Sequence, residues 1–155
     1  MKYLFNLLIL AIIATGCSSD DQEPVLEDAD LFGNWTLREY NLDEAVDINL
    51  DGAASLSVLD EVPCFSSLIT FNSNGSFISG TNQFEIFVQG QTISIDCGSL
   101  QYLSGFWSLE GNQLTTDING NSKTETIDLQ GNSLSLSFND TNFGSGEFIF
   151  QKGGQ

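Results

Sequence analysis

From residue 31 onward, apolar and polar residues alternate in segments of five to eight, and glycine–asparagine pairs separate the segments. A period of two places alternate side chains on one face of a strand. Leu31 to Tyr40 reads as the first strand, with Trp35, Leu37 and, less regularly, Tyr40 on or near its inner face. Ser67 to Phe71 is the next, with Ile69 and Phe71 in phase. Asn72-Ser73-Asn74-Gly75 turns the chain into Ser76 to Ser79. Phe84 to Gln89 and Gln91 to Cys97 follow, divided at Gly90.

The second half repeats the pattern. Gly105 to Leu109 turns through Gly111-Asn112 into Leu114 to Ile118. Asn119-Gly120-Asn121 leads to Thr124–Leu129, and Gly131-Asn132 to Leu134–Phe138. Gly146 to Lys152 closes the set. Asparagine and glycine recur because type I′ hairpin turns need positive φ at both central positions. The total is eight or nine strands, and no long helical period interrupts them. Such spacing predicts an all-β domain, an antiparallel up-and-down barrel or a sandwich. Twelve phenylalanines and two tryptophans suffice to fill a small barrel. They serve as core or as the lining of a ligand pocket.

The first thirty residues follow other rules. Lys2 precedes a run from Leu4 to Ile13 that is apolar except for Asn6, a signal-peptide pattern. The run is shorter than the roughly 20 residues of a spanning helix. It ends in Ala14-Thr15-Gly16-Cys17, which resembles the bacterial lipobox, with alanine where leucine is usual. The resemblance implies cleavage after residue 16 and diacylglyceryl on Cys17; plain secretion is the alternative. Ser18-Ser19-Asp20-Asp21-Gln22-Glu23-Pro24 lacks hydrophobic period and reads as a tether over residues 17–30. Serine and acid directly after the cysteine resemble the export signal of Bacteroidetes surface lipoproteins. The expected place is therefore the outer membrane, lipid-anchored and exposed at the cell surface, with the membrane itself as a partner.

Charge narrows the chemistry. The chain holds 21 acidic and 4 basic residues, a formal net charge of −17. Such a surface repels nucleic acid, so nucleic-acid binding is excluded. Histidine is absent, which removes the commonest general base and the usual zinc and haem ligands. An enzyme would need paired carboxylates, and the acids Glu85, Asp96, Glu110 and Glu147 show no pairing in sequence; the expectation is a protein without enzymatic activity. Of three cysteines, Cys17 is assigned to lipid. Cys64 and Cys97 remain as an even pair in an oxidising compartment, so a disulfide is expected.

Gly33-Asn34-Trp35 resembles the Gly-x-Trp motif of the lipocalin superfamily. Ile69-Thr70-Phe71, Asn74-Gly75-Ser76-Phe77, Gly105-Phe106-Trp107-Ser108-Leu109, Gly111-Asn112-x-Leu114 and Phe150-Gln151-Lys152 extend the likeness over residues 31–152. The ordered set resembles the lipocalin-like domain of Bacteroidetes lipoproteins. That implies an up-and-down barrel of about eight strands that binds a small, mostly apolar ligand. It also implies that Trp35 packs across the closed end beneath Lys152.

Asp47-Ile48-Asn49-Leu50-Asp51-Gly52 matches the first half of an EF-hand calcium loop. Position twelve of that loop would be glutamate and is Val58, so Asp60 or Glu61 would supply the last carboxylate. Asp47, Asn49, Asp51 and Glu61 are the candidate ligands of a structural Ca2+; a polar turn is the alternative. The ion would order a loop from Asn41 to Val62 that otherwise lacks an obvious core. Two further roles follow from these features. One is a calcium-ordered surface interaction protein with a filled barrel and a protein partner. The other is a carboxylate-based hydrolase.

Overall fold

The computed structural model describes residues 26–90, 92–140 and 144–153. The signal segment, Cys17 and the tether up to residue 25 lie outside the described residues. A short helix, α1 (Asp28–Leu31), precedes β1 (Gly33–Val46). Residues 28–30, read from sequence as tether, therefore belong to the folded body.

β1 carries Trp35 and Leu37 on the inner face, then Tyr40 and Leu42. The step from 37 to 40 breaks a strict alternation, and its cause is local. Leu37 lies opposite Phe150 and Glu39 opposite Ile149, so Arg38 is the extra residue of a β-bulge. A bulge shifts every following side chain by one face. The irregular phase of Tyr40 in the sequence is that bulge.

After β1 come β2 (Ser55–Ser57) and α2 (Val58–Glu61). β3 (Ser67–Phe71) and β4 (Ser76–Thr81) form a hairpin, followed by β5 (Phe84–Gln89) and β6 (Thr92–Cys97). A meander completes the chain: β7 (Gln101–Glu110), β8 (Gln113–Ile118), β9 (Asn121–Gln130), β10 (Ser133–Asp140) and β11 (Gly144–Lys152). The main sheet runs β11-β10-β9-β8-β7-β4-β3-β1-β2, and β1 also pairs with β11. That last ladder, from Trp35↔Lys152 to Leu42↔Gly146, joins the ends. The result is a closed antiparallel barrel of eight strands with β2 as an extra strand, consistent with a lipocalin-like architecture. Closure removes the free edges an open sheet would present.

Two glycines permit the tight coil. A Cβ on Gly105 would run into the carbonyl of Asp117, and one on Gly146 into that of Asn41. Asn119 and Gly120 both take positive φ, 56° and 83°, as the Asn-Gly signal between β8 and β9 predicts.

Two sequence expectations change. Among the described residues, β5 and β6 pair only with each other, and β4 pairs directly with β7. They form a hairpin outside the barrel wall rather than two of its strands. Gly98 N donates to Gln83 O at 2.9 Å, which extends the hairpin's own ladder by one rung, and the Cys64–Cys97 disulfide, with Cα atoms 5.9 Å apart, ties its base to the rest of the chain. The segment between residues 41 and 62 is also less bare than its sequence suggests. Ile48, Val58 and Val62 are buried within it and join the main core.

Candidate functional site

The barrel has a solid end and a hollow end. At the solid end, Trp35, Phe71, Trp107 and Leu134 fill the interior. Phe71 meets Trp107 edge-on at 5.2 Å between centroids, and Phe32 meets the same indole at 6.0 Å. The α1 turn lies across this floor. The Trp35 indole N–H donates to Leu31 O at 2.8 Å, and the Lys152 ammonium donates to Asp30 O at 2.8 Å. The same ammonium stands 5.3 Å from the centre of the Trp35 ring. The two residues matched by sequence to a barrel-closing pair are thus in contact.

Gly33 explains the glycine of Gly-x-Trp. Its φ is +123°, and a Cβ there would sit 3.3 Å from Lys152 Cε. A side chain would strain the backbone and crowd the lysine that covers the indole.

The hollow end lies above Leu136. A cavity of about 230 Å³ opens between Phe65, Ile69, Phe138, Phe148 and Phe150. Its aromatic wall is continuous: Phe148 lies 4.5 Å from both Tyr40 and Phe138 between centroids. Ser67, Ser79 and Thr81 contribute neutral polar groups to the lining. Drug-sized ligands occupy pockets of about 300–1,000 Å³. A dry cavity near 150 Å³ takes a benzene ring. This site suits a molecule somewhat larger than one ring.

Sequence reading did not single out two charged residues of this wall, Lys123 and Glu125. Lys123 lies opposite Thr116 and Glu125 opposite Leu114, and both are in phase with the inner Ile127 and Leu129. Lys123 Nζ contacts Glu125 Oε1 at 2.7 Å, and both side chains line the cavity. The period-two pattern, extended from Ile127 back past Thr124, would have found them.

Over the axial mouth lies the Cys64–Ser66 segment. Its disulfide to Cys97 holds one side. The buried Asn82 amide holds the other, donating to Cys64 O and accepting from Ser66 N, each at 2.8 Å. Phe65 from this segment packs on Tyr40 at 5.6 Å and on Phe84 at 6.1 Å between centroids.

The acidic loop is folded around its own backbone. Asp47 accepts from Asp51 N at 3.0 Å and Gly52 N at 2.9 Å, and Asn49 accepts from Asp51 N at 2.9 Å. Asp51 accepts from Ala53 N at 2.8 Å. Glu61, only 4% exposed, accepts from Ile48 N at 3.1 Å and Asn49 N at 3.2 Å. The four candidate calcium ligands therefore share one loop, with their oxygens engaged by amides. Among the described residues, no group of three or more acidic or cysteine side chains is placed to hold a metal ion.

Of the strand acids, Glu85 and Asp96 face each other across the β5–β6 hairpin, a pairing that sequence does not reveal. Glu147 accepts a short bond from Ser135 on the outer face of the barrel. Asp117 caps the β8–β9 turn. Ser122 Oγ at 2.6 Å and Gly120 N at 2.9 Å donate to it. Those two bonds, the serine's first, hold its carboxyl below the usual carboxylate range.

The class defined by these features is a closed β-barrel with a sealed floor and an aromatic cavity. No protein-family model and no curated protein matches the chain.

Proposed function

We propose that this protein is a lipid-anchored lipocalin-like binding module of the cell envelope that holds a small, mostly apolar ligand. The phenylalanine-lined cavity above the Trp35 floor carries this reading. Burying a ligand against such a wall gains roughly 25 cal/mol per Å² of apolar surface. In this reading the protein binds rather than catalyses. A lipid on Cys17 would tether the molecule through α1, at its solid end. The hollow end would then point away from the outer membrane, toward the cell exterior.

A second reading, a surface interaction protein, is favoured by the β5–β6 hairpin. Ile86, Phe87 and Val88 are exposed there. Exposed apolar patches of this kind mark partner contacts. Calcium bound by the Asp47–Asp51 loop with Glu61 would belong to this role as an ordering ion.

Mass spectrometry of the native protein, with and without chelator, tests both. The binding module predicts a copurifying molecule of low mass that is lost on unfolding. Protein that carries none, and accepts none when offered, overturns it. Loss of about 40 mass units on chelation is the calcium result; an unchanged mass removes the ion.

A further inference from the structure

The barrel wall parts between β9 and β10. β9 pairs with β8 from Asn121 to Thr126, and Ile127 N extends that contact to Asn112 O at 2.9 Å. Its ladder with β10 begins only there, from Leu136↔Ile127 to Ser133↔Gln130. Beyond Leu136, β10 continues to Asp140 paired, among the described residues, with β11 alone. Residues 121–126 and 137–140 thus flank a slit with no ladder between them. Glu125 lines both the inner cavity and a groove of about 730 Å³ on the outer side of the slit. The axial mouth, by contrast, lies under Phe65, pinned by the disulfide and by Asn82.

Charge at the slit is unbalanced. Glu125, Asp128 and Glu147 line the outer groove, against the single ammonium of Lys123. Lys123 is 70% exposed and Glu125 25% exposed, so their ion pair sits at the boundary with solvent. Such a pair is held weakly, and an incoming cation can replace the lysine. The chain's net charge of −17 adds a long-range field that draws cations and repels anions.

We propose that this slit is the entrance and head-group site for a small amphiphile with a positively charged head. Resting on the binding role above, it defines the ligand class. The head meets Glu125, and the apolar body enters between Phe138, Phe148 and Phe150. Scaling from a benzene ring in about 150 Å³, the cavity has room for about nine carbons.

The test uses n-octylamine, n-octanol and octanoate in low salt, with toluene as a probe that needs only the cavity. Binding is read by calorimetry and rates by stopped flow. Octylamine is expected to bind about three- to fivefold more tightly than octanol, and octanoate more weakly than both. Glu125→Gln should bring octylamine down to about the octanol level. Ser137→Trp, on the outer rim, should slow uptake of all three. Toluene binding with no preference among the octyl head groups overturns the slit site. So does uptake in Ser137→Trp at the wild-type rate. Failure of every probe, toluene included, overturns the binding role itself. The Glu125→Gln comparison decides the head-group site even if the tryptophan variant fails to fold.

Discussion

Leu50 holds a left-handed backbone, φ 58°, in the middle of the acidic loop. Its side chain is 52% exposed, so little packing offsets the strain. For a residue with a Cβ, this conformation costs about 1 kcal/mol or more. Leu50→Asn should therefore raise stability by about 0.5–1 kcal/mol in urea denaturation, because asparagine tolerates the conformation. At the floor, Lys152→Met removes both the bond to Asp30 O and the charge over Trp35, and should cost about 1–2 kcal/mol. Asp117 gives a pH-dependent term. Its carboxyl is lowered by the bonds from Ser122 and Gly120, so its contribution is complete above the ordinary aspartate pKa. It is lost as the pH falls through the lower, folded value. Protection of the Gly120 amide from hydrogen exchange should follow that course, and Asp117→Ala should abolish the dependence. At this scale sequence was informative where identity and chemistry coincide. Gly33, Trp35 and Lys152 are matched to roles through the resemblance of Gly33-Asn34-Trp35 and Phe150-Gln151-Lys152 to lipocalin motifs. Glu61 cannot: a buried carboxylate that caps two amides thirteen and twelve residues away is a product of tertiary contact.

Elements follow from alternation, and their assembly does not. Hairpins with Asn-Gly turns announce themselves, and β3 matches its expected bounds, Ser67–Phe71. β5 and β6 alternate like barrel strands, because a two-stranded ribbon and a wall share the same period. What sets them apart is distant in sequence: Asn82 bonded to Cys64 and Ser66, and a disulfide spanning 33 residues. Replacing both Cys64 and Cys97 with serine should cost roughly 3–4 kcal/mol in the chain-entropy view of a loop this long. Limited proteolysis should then cut first in residues 84–97, with the main barrel surviving longer. Equal resistance in the two forms would show that the hydrogen bonds alone secure the hairpin.

Across the whole molecule, interior filling is graded. Two tryptophans, Phe71, Phe77 and Leu134 pack the floor, while the hollow end leaves space among four phenylalanines. Composition could not reveal this gradient: aromatic residues in phase read alike whether they touch each other or face a void. Filling the void should therefore stabilise the empty protein, since well-packed interiors leave few gaps larger than water. Ser79→Val is expected to raise the unfolding midpoint slightly and to weaken binding of any cavity ligand. Loss of stability without loss of binding would place the ligand elsewhere.

A titration of the methyl-labelled protein with toluene, followed by NMR, is the most direct trial of the cavity as a binding site. The methyl groups of Ile69 and Leu136 should shift in a saturable manner, while Leu134 at the floor and Leu103 outside the cavity lining stay fixed. Shifts confined to exposed methyls such as those of Leu56 and Val88, or no saturable change at all, would contradict it.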